Sequence, residues 1–267
     1  MNSDPVEEII RVPRSIVAMA KEFPSGHIIH PHQHARAQLL YASSGVMTLK
    51  TDKGIWVVPP LRAVWIPAHT LHQIEVSGHL SMRTLYIEAA VFPGPSHDCC
   101  VIAVTPLLRE LILYTINLPQ LYPLGGPEER LLNVMLDQIS SVSMASLRLP
   151  IPEDDRLKRI YEHLSSKPGD NRTLEDWGMK VGATGRTLAR RFRIETGMSF
   201  GQWRQQMRIL EALRRLGMNE PVTTVAIEVG YDSPSAFISM FKKALGQTPG
   251  RYFEENISDL RLKGQQT

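Results

Sequence analysis

Histidine and arginine are the residues of this chain whose spacing could do chemistry. His32 and His34 are one residue apart, and alternation along an extended segment places both on one face. His72 lies in a later segment of the same character. Three imidazole nitrogens that leave a fourth position open suit a divalent metal ion. Far downstream, Arg186, Arg190, Arg191 and Arg193 fall within eight residues, with Thr187 among them. So many cations on one helix repel each other unless an anion compensates. Arg is the usual partner of guanine O6 and N7, and Ser or Thr can read several bases. Arg186, Thr187, Arg190 and Arg191 are therefore candidates for DNA contact. Ser235, Ser239, Lys242 and Lys243 on a later segment join them. At least half of the hydrogen bonds in such interfaces go to phosphate, so some of these side chains only position the protein.

The elements that must carry these residues differ between the two ends of the chain. From 14 to 104, short runs rich in β-branched and aromatic residues alternate with turn signals such as Asp52-Lys53-Gly54 and Pro59-Pro60. That spacing predicts a β-sandwich or barrel. Strands are expected at 15–20, 37–41, 46–51, 55–58, 63–66, 72–76, 82–88 and 100–104. Thr105-Pro106 then offers an N-cap followed by proline at the first helical position. Leu107, Leu108, Leu111, Ile112 and Ile116 recur at helical spacing behind it. A second helix is expected over 128–147, its face being Leu131, Leu132, Met135, Leu136 and Ile139. These helices read equally as a linker, a homodimerisation element or plain internal packing. Two prolines in Leu149-Pro150-Ile151-Pro152 make an extended connector. The expected organisation is a sensing domain over 1–104, a helical linker over 105–150, an all-α domain over 151–253 and a tail over 254–267.

Inside the all-α domain one pattern occurs twice. Thr173 and Asp176 have capping-box spacing, and 182–185 breaks the helix before a second runs from Arg186 to Thr196, with Gly197 as its stop. Later, Val222, Val225, Ala226 and Val229 precede the turn Gly230-Tyr231-Asp232. Ser233 then caps a helix with Pro234 first and Gly246 after its end. Between the pairs, 199–216 predicts one helix of roughly 27 Å. Two recognition helices on one face of a duplex lie about 34 Å apart, so this connector is about the right length.

Charge follows the same division. The chain carries a net charge of +3, but the basic residues gather behind residue 153 and the front is mildly acidic, which suits a polyanion at the back. The N-terminus is acidic and lacks the apolar core of an export signal. No apolar run is long enough to span a membrane. The two cysteines, Cys99 and Cys100, are neighbours. They offer no disulfide framework, which suits a reducing cytosol, and buried inert thiols are the better reading of them.

From about 154 to 253 the chain resembles the AraC/XylS family of transcription regulators. The late signature is Val225-Ala226-x-x-Val229-Gly230-Tyr231, Ser235-x-Phe237-x-x-x-Phe241-Lys242-Lys243 and Gly246-x-Thr248-Pro249-x-x-Tyr252. The early one is Arg186-Thr187-Leu188-x-Arg190-x-Phe192 and Thr196-Gly197-x-Ser199-Phe200-x-x-Trp203-Arg204. The resemblance implies sequence-specific binding to double-stranded promoter DNA, with a helix of each pair in successive major grooves. RNA polymerase is a further partner such a role brings. Gly185, at the start of the first recognition helix, departs from the pattern.

A second resemblance covers about 14–90. Gly26-x5-His32-x-His34-x3-Gln38-x6-Gly45 looks like the first cupin motif, and Pro67-Ala68-His69-Thr70-Leu71-His72 like the core of the second. It implies a cupin-like β-barrel that senses a small-molecule effector. The overall class is then α+β: barrel, helical linker, and an all-α domain with two helix-turn-helix units. Gln38 stands where a metal-binding cupin has Glu, and His69 where the motif has Gly. Both a divalent metal on His32, His34 and His72 and a metal-free pocket therefore stay open. The expected pocket is His32, His34, Gln38, Trp56, Trp65, His72 and Tyr86. The stretch 56–68 is similar to a NimR-like branch of the family, in which the sensor governs an adjacent efflux gene. That resemblance implies drug-like or aromatic effectors. Effector binding is expected to change how the helices of 105–147 pair or dock, and so which operator spacing is reached. Two other readings remain at this point: a cupin-type metalloenzyme, and an architectural DNA-binding protein without a ligand. No catalytic residues are expected, because neither a Gly-rich phosphate loop nor a Ser/His/Asp arrangement is present.

Overall fold

A computed structural model describes residues 5–253; the tail expected over 254–267 lies outside the described residues. The elements run α1 (Pro5–Ile10), β1 (Ile16–Phe23), β2 (Ile28–His32), β3 (Ala37–Thr51), β4 (Gly54–Val58), β5 (Arg62–Ile66), β6 (His72–Ile87), β7 (Cys100–Ala103), α2 (Pro106–Ile116), α3 (Pro127–Ser141), β8 (Met144–Ala145) and β9 (Arg148–Leu149). Then come α4 (Asp155–Ser166), α5 (Leu174–Val181), α6 (Gly185–Thr196), α7 (Phe200–Gly217), α8 (Val222–Glu228) and α9 (Pro234–Leu245). The class is α+β, sheet-rich in front and helical behind. Two compact units result: residues up to 51 with 58–146, and 52–57 with those from 147 on.

In the first unit the strands follow the order β1-β6-β3-β5-β7-β8, and β2 pairs with β6. Four of the expected strands are two long ones. Segments 37–41 and 46–51 are both β3, and 72–76 and 82–88 both belong to β6, since pairing continues through the intervening glycines. The register slips between Ala42 and Val46. Gly45 takes φ +76°, and a Cβ there would lie 2.6 Å from the His79 carbonyl oxygen. Glycine thus lets β3 bend with its backbone hard against β6. Fourteen residues separate His72 from Tyr86, roughly 45 Å if β6 were straight. Yet both rings pack on His34, with centroids 5.3 and 5.1 Å away. β6 must fold back on itself, and the sheet closes around an interior.

Strand parity sorts the side chains. Gln38 pairs with Ile66 and Tyr86, and Val17 with Tyr86, so these four share one face. Leu39 pairs with Trp65 and Leu85 on the other face. There Leu39, Trp65, Leu85 and Ile87 pack against Leu108, Ile112, Leu132, Met135 and Ile139 of α2 and α3. These helices serve as cover for the sheet. Thr105 caps α2 as its sequence suggests. α3 ends at Ser141 rather than 147, because Met144 and Ala145 add to the edge of β7, opposite Ile102 and Val101. A strand edge with unpaired amides has overridden the helical pattern.

In the second unit β4 pairs with β9, Trp56 opposite Arg148, and the rest is helical. The predicted caps are present. Thr173 and Asp176 form a capping box, as do Ser199 and Gln202, and Ser233 accepts from Ala236 N–H. Gly197 and Gly246 end α6 and α9 in the left-handed conformation. Leu188 and Phe192 of α6, Trp203 of α7, and Phe237 and Phe241 of α9 are fully buried. Truncating one of these Phe residues to Ala would cost about 3–5 kcal/mol.

Candidate metal centre and nucleic-acid interface

The three histidines meet. His32 and His72 are register partners of β2 and β6, with ring centroids 4.3 Å apart. His34, on the turn after β2, packs its ring 5.3 Å from His72. One nitrogen from each lies within 4.8 Å of the others. Backbone carbonyls hold the remaining nitrogens. His32 Nδ1 is 2.8 Å from His30 O, His34 Nδ1 2.6 Å from Arg36 O, and His72 Nδ1 2.8 Å from Thr70 O. A carbonyl only accepts, so each Nδ1 carries the hydrogen and donates. Each Nε2 of a neutral ring is then a lone pair. Burial keeps His34 neutral by pulling its pKa below the ordinary value, and lowers that of His72 to about 4. His72 Nε2 is buried without a hydrogen-bond partner, which is uncommon for a buried polar atom. Three oriented, convergent imidazoles fit a divalent transition metal, with the three carbonyls as the outer partners that fix ligand orientation.

Gln38 stands beside them. Its Oε1 is 2.9 Å from His34 Nε2, and its Nε2 donates to Thr84 Oγ1 at 2.9 Å and Tyr86 OH at 3.3 Å. A neutral His34 that already donates through Nδ1 has no hydrogen left for Oε1. Half a turn of the amide, which exchanges the positions of its oxygen and nitrogen, resolves this, giving His34 a donor and leaving Oε1 to accept from the two hydroxyls. Thr84 belongs to this group and was missed from sequence. Its signal is the period-2 spacing with Tyr86 along β6. His69 takes φ +60°, and its N–H donates to His34 O at 2.9 Å. The turn therefore keeps the left-handed backbone of a glycine position, and it ties the His34 turn to the start of β6.

One expected pocket residue lies elsewhere. Trp65 is on the opposite face from Gln38 and Tyr86, edge-on to Phe92, with its indole N–H donating to Ser96 O at 3.2 Å. A shift of one residue along a strand reverses the face, and only register reveals it. Trp56 belongs to the second unit, where the Arg148 guanidinium lies 5.4 Å over its ring. Cys99 is buried, and burial pushes the Cys100 thiol up to about 11, so neither is a ready nucleophile.

On α6, Arg186, Arg190 and Arg193 are exposed. They are spaced i, i+4, i+7, so they form one stripe opposite Leu188 and Phe192. Arg193 belongs with the candidates by that spacing. Thr187 is half-buried, its Oγ1 2.9 Å from that of the N-cap Thr184. Arg191 turns toward the protein. Its Nε is 3.7 Å from Asp154 Oδ2 and its Nη1 3.8 Å from Glu195 Oε1. On α9, Ser235, Ser239, Lys242 and Lys243 are exposed, and Ser235, Ser239 and Lys242 repeat the i, i+4, i+7 stripe. At Gly185 a Cβ would lie 2.7 Å from Glu175 Oε1 of α5, the end of a side chain free to swing aside.

Comparison with known proteins agrees with both halves. A family model described as an AraC-like ligand binding domain matches residues 20–112, and one described as a helix-turn-helix domain matches 177–255. The chain is 38% identical over 221 residues to the HTH-type transcriptional regulator NimR of Escherichia coli K12, covering 83% of this chain and 81% of that protein. It is 26% identical over 249 residues to the arabinose operon regulatory protein of the same organism, covering 90% and 74%.

Proposed function

Because this chain belongs to the AraC family of transcription regulators, a ligand-responsive group that binds DNA, we propose that its ligand is a divalent transition-metal ion held by His32, His34 and His72. One observation carries this reading: His32, His34 and His72 each bring a ring nitrogen within 4.8 Å of the others, while a backbone carbonyl lies against every Nδ1. A bound ion would supply a fixed positive charge and a position open to a further small ligand. Arg36, the buried cation nearby in sequence, is already matched by Glu88 at 3.0 Å. An aromatic effector is less favoured, since Trp65 stands on the sheet face opposite Tyr86 and Gln38.

In the same reading, α6 and α9 enter successive major grooves of promoter DNA. Arg186, Arg190, Ser235, Ser239 and Lys242 reach bases or phosphates, while Thr187, Arg191 and Lys243 flank them. The target is the promoter of an adjacent efflux gene, as the resemblance over 56–68 implies. RNA polymerase and a second copy of the chain are partners of the bound state, the site of action is the cytoplasm, and no catalysis is involved.

The test titrates metal-free, full-length protein with Zn2+ or Co2+ and follows binding to a duplex it selects from a random pool. We expect one ion per chain, a change in DNA affinity of about tenfold or more, and loss of both on His72→Ala. Absence of stoichiometric ion binding would return the pocket to a metal-free effector. Metal-dependent oxygen consumption would favour a cupin-type enzyme.

A further inference from the structure

We propose that Arg208 of α7 fixes the angle between the two helix-turn-helix units and so sets the half-site spacing this regulator accepts. Arg208 is only 7% exposed. Its Nε donates to Pro168 O at 3.0 Å, and its Nη2 to Asp170 O at 3.2 Å and Asn171 Oδ1 at 2.9 Å. Its Nη1 donates to Gly230 O at 3.3 Å. One guanidinium therefore holds two separate segments. Residues 168–171 lead into α5 of the first unit, and Gly230 is in the turn between α8 and α9 of the second.

The two segments also touch directly. A Cβ on Gly230, at φ +86°, would lie 2.8 Å from Gly169 Cα and 2.6 Å from Arg208 Nη2. A Cβ on Gly169 would lie 3.0 Å from Glu228 O. The contact is backbone on backbone, with no side chain between to slide or repack.

These hydrogen bonds run to carbonyl and amide oxygens, while burial and the neighbouring Arg204 pull the Arg208 pKa down. A buried cation held this way is a poor stabiliser, and an apolar residue of similar volume often does as well or better. It does have geometric specificity. The five donors of a planar fork restrict the directions in which two segments can lie. The connecting helix fixes the distance between the units, but rotation about its axis changes where each recognition helix points. Arg208 removes that freedom, and two helices that must enter successive grooves need it removed.

The test uses the full-length chain, a duplex it selects from a random pool, variants of that duplex with one or two base pairs inserted or deleted between half-sites, and a duplex carrying one half-site. Arg208→Lys keeps the charge but has a single ammonium in place of the fork. Asn171→Ala removes one acceptor at an exposed position. Wild type should prefer its own spacing over a one-pair insertion by about tenfold in fluorescence anisotropy. Both variants should hold the single half-site within about twofold of wild type, while the spacing preference falls at least about threefold. An unchanged preference overturns the proposal. So does an equal loss on all duplexes, which would make Arg208 a residue of stability alone. If Arg208→Lys lacks helical circular dichroism, Asn171→Ala decides by the same criteria.

Discussion

His34 and Gln38, four residues apart in the chain, meet at 2.9 Å between imidazole Nε2 and the side-chain amide. Gln38 thus covers the His34 lone pair that an incoming ion needs, and it brings no charge to offset that ion. Gln38→Glu replaces the cover with an anionic ligand. It should tighten Co2+ or Zn2+ binding at least about tenfold, worth about 1.4 kcal/mol, in competition with a chromophoric chelator. Equal or weaker binding would mean that the carboxylate does not reach the ion.

The two arginines of α6 should part company. Arg190 is exposed on the stripe, so Arg190→Ala should lower affinity for the selected duplex by tenfold or more and flatten its dependence on salt. Arg191 faces Asp154 and Glu195, so Arg191→Ala should change affinity by less than about threefold. Gel-shift titrations at two salt concentrations separate these outcomes.

Asp154 caps α4 and accepts from the Arg156 backbone N–H at 3.0 Å and from its guanidinium at 2.6 and 3.0 Å. The Arg156 side chain beside it holds its carboxyl well below the ordinary carboxylate range. A depressed acid stabilises the fold above its unfolded pKa near 4, and that contribution is lost as pH falls below it. Asp154→Ala should therefore cost about 1 kcal/mol at pH 7 and progressively less toward pH 3. Urea melts at the two pH values measure the difference, and a pH-independent cost would contradict the assignment.

His69 holds a left-handed backbone at φ +60°, which costs a non-glycine residue about 1 kcal/mol. Its hydrogen bond to His34 O uses the backbone N–H, which glycine retains. His69→Gly should raise the thermal midpoint slightly and leave ion binding unchanged. A lowered midpoint would show that the imidazole itself holds the turn.

What could be read from the sequence depended on range. The ends of α5, α6, α7 and α9 follow from Thr173, Gly197, Ser199, Ser233 and Gly246, because capping is settled within four residues. The meeting of His32, His34 and His72 was suggested by alternation. Its sharper feature, three carbonyls fixing three tautomers, depends on turn geometry that spacing does not encode. Segments 37–41 and 46–51 read as separate strands, as do 72–76 and 82–88, yet each pair is one long strand whose pairing continues across the gap. Trp65 was expected in the pocket, and only register shows that it lies on the face opposite Gln38 and Tyr86. The ion pair of Arg191 with Asp154 was hidden because Asp154 lies 37 positions earlier in the chain.

Because β6 folds back on itself, every nitrogen and hydroxyl around the histidines comes from residues 32–86, and the helices that cover their sheet are finished by Ser141. The order of synthesis then separates the two tasks in time. From Ser141 to the start of α6 at Gly185 is 44 residues, or about 2–9 s of synthesis at bacterial rates of elongation. An ion taken up in that interval would be in place before either recognition helix exists, so a newborn molecule would report the metal supply at the moment of its own translation.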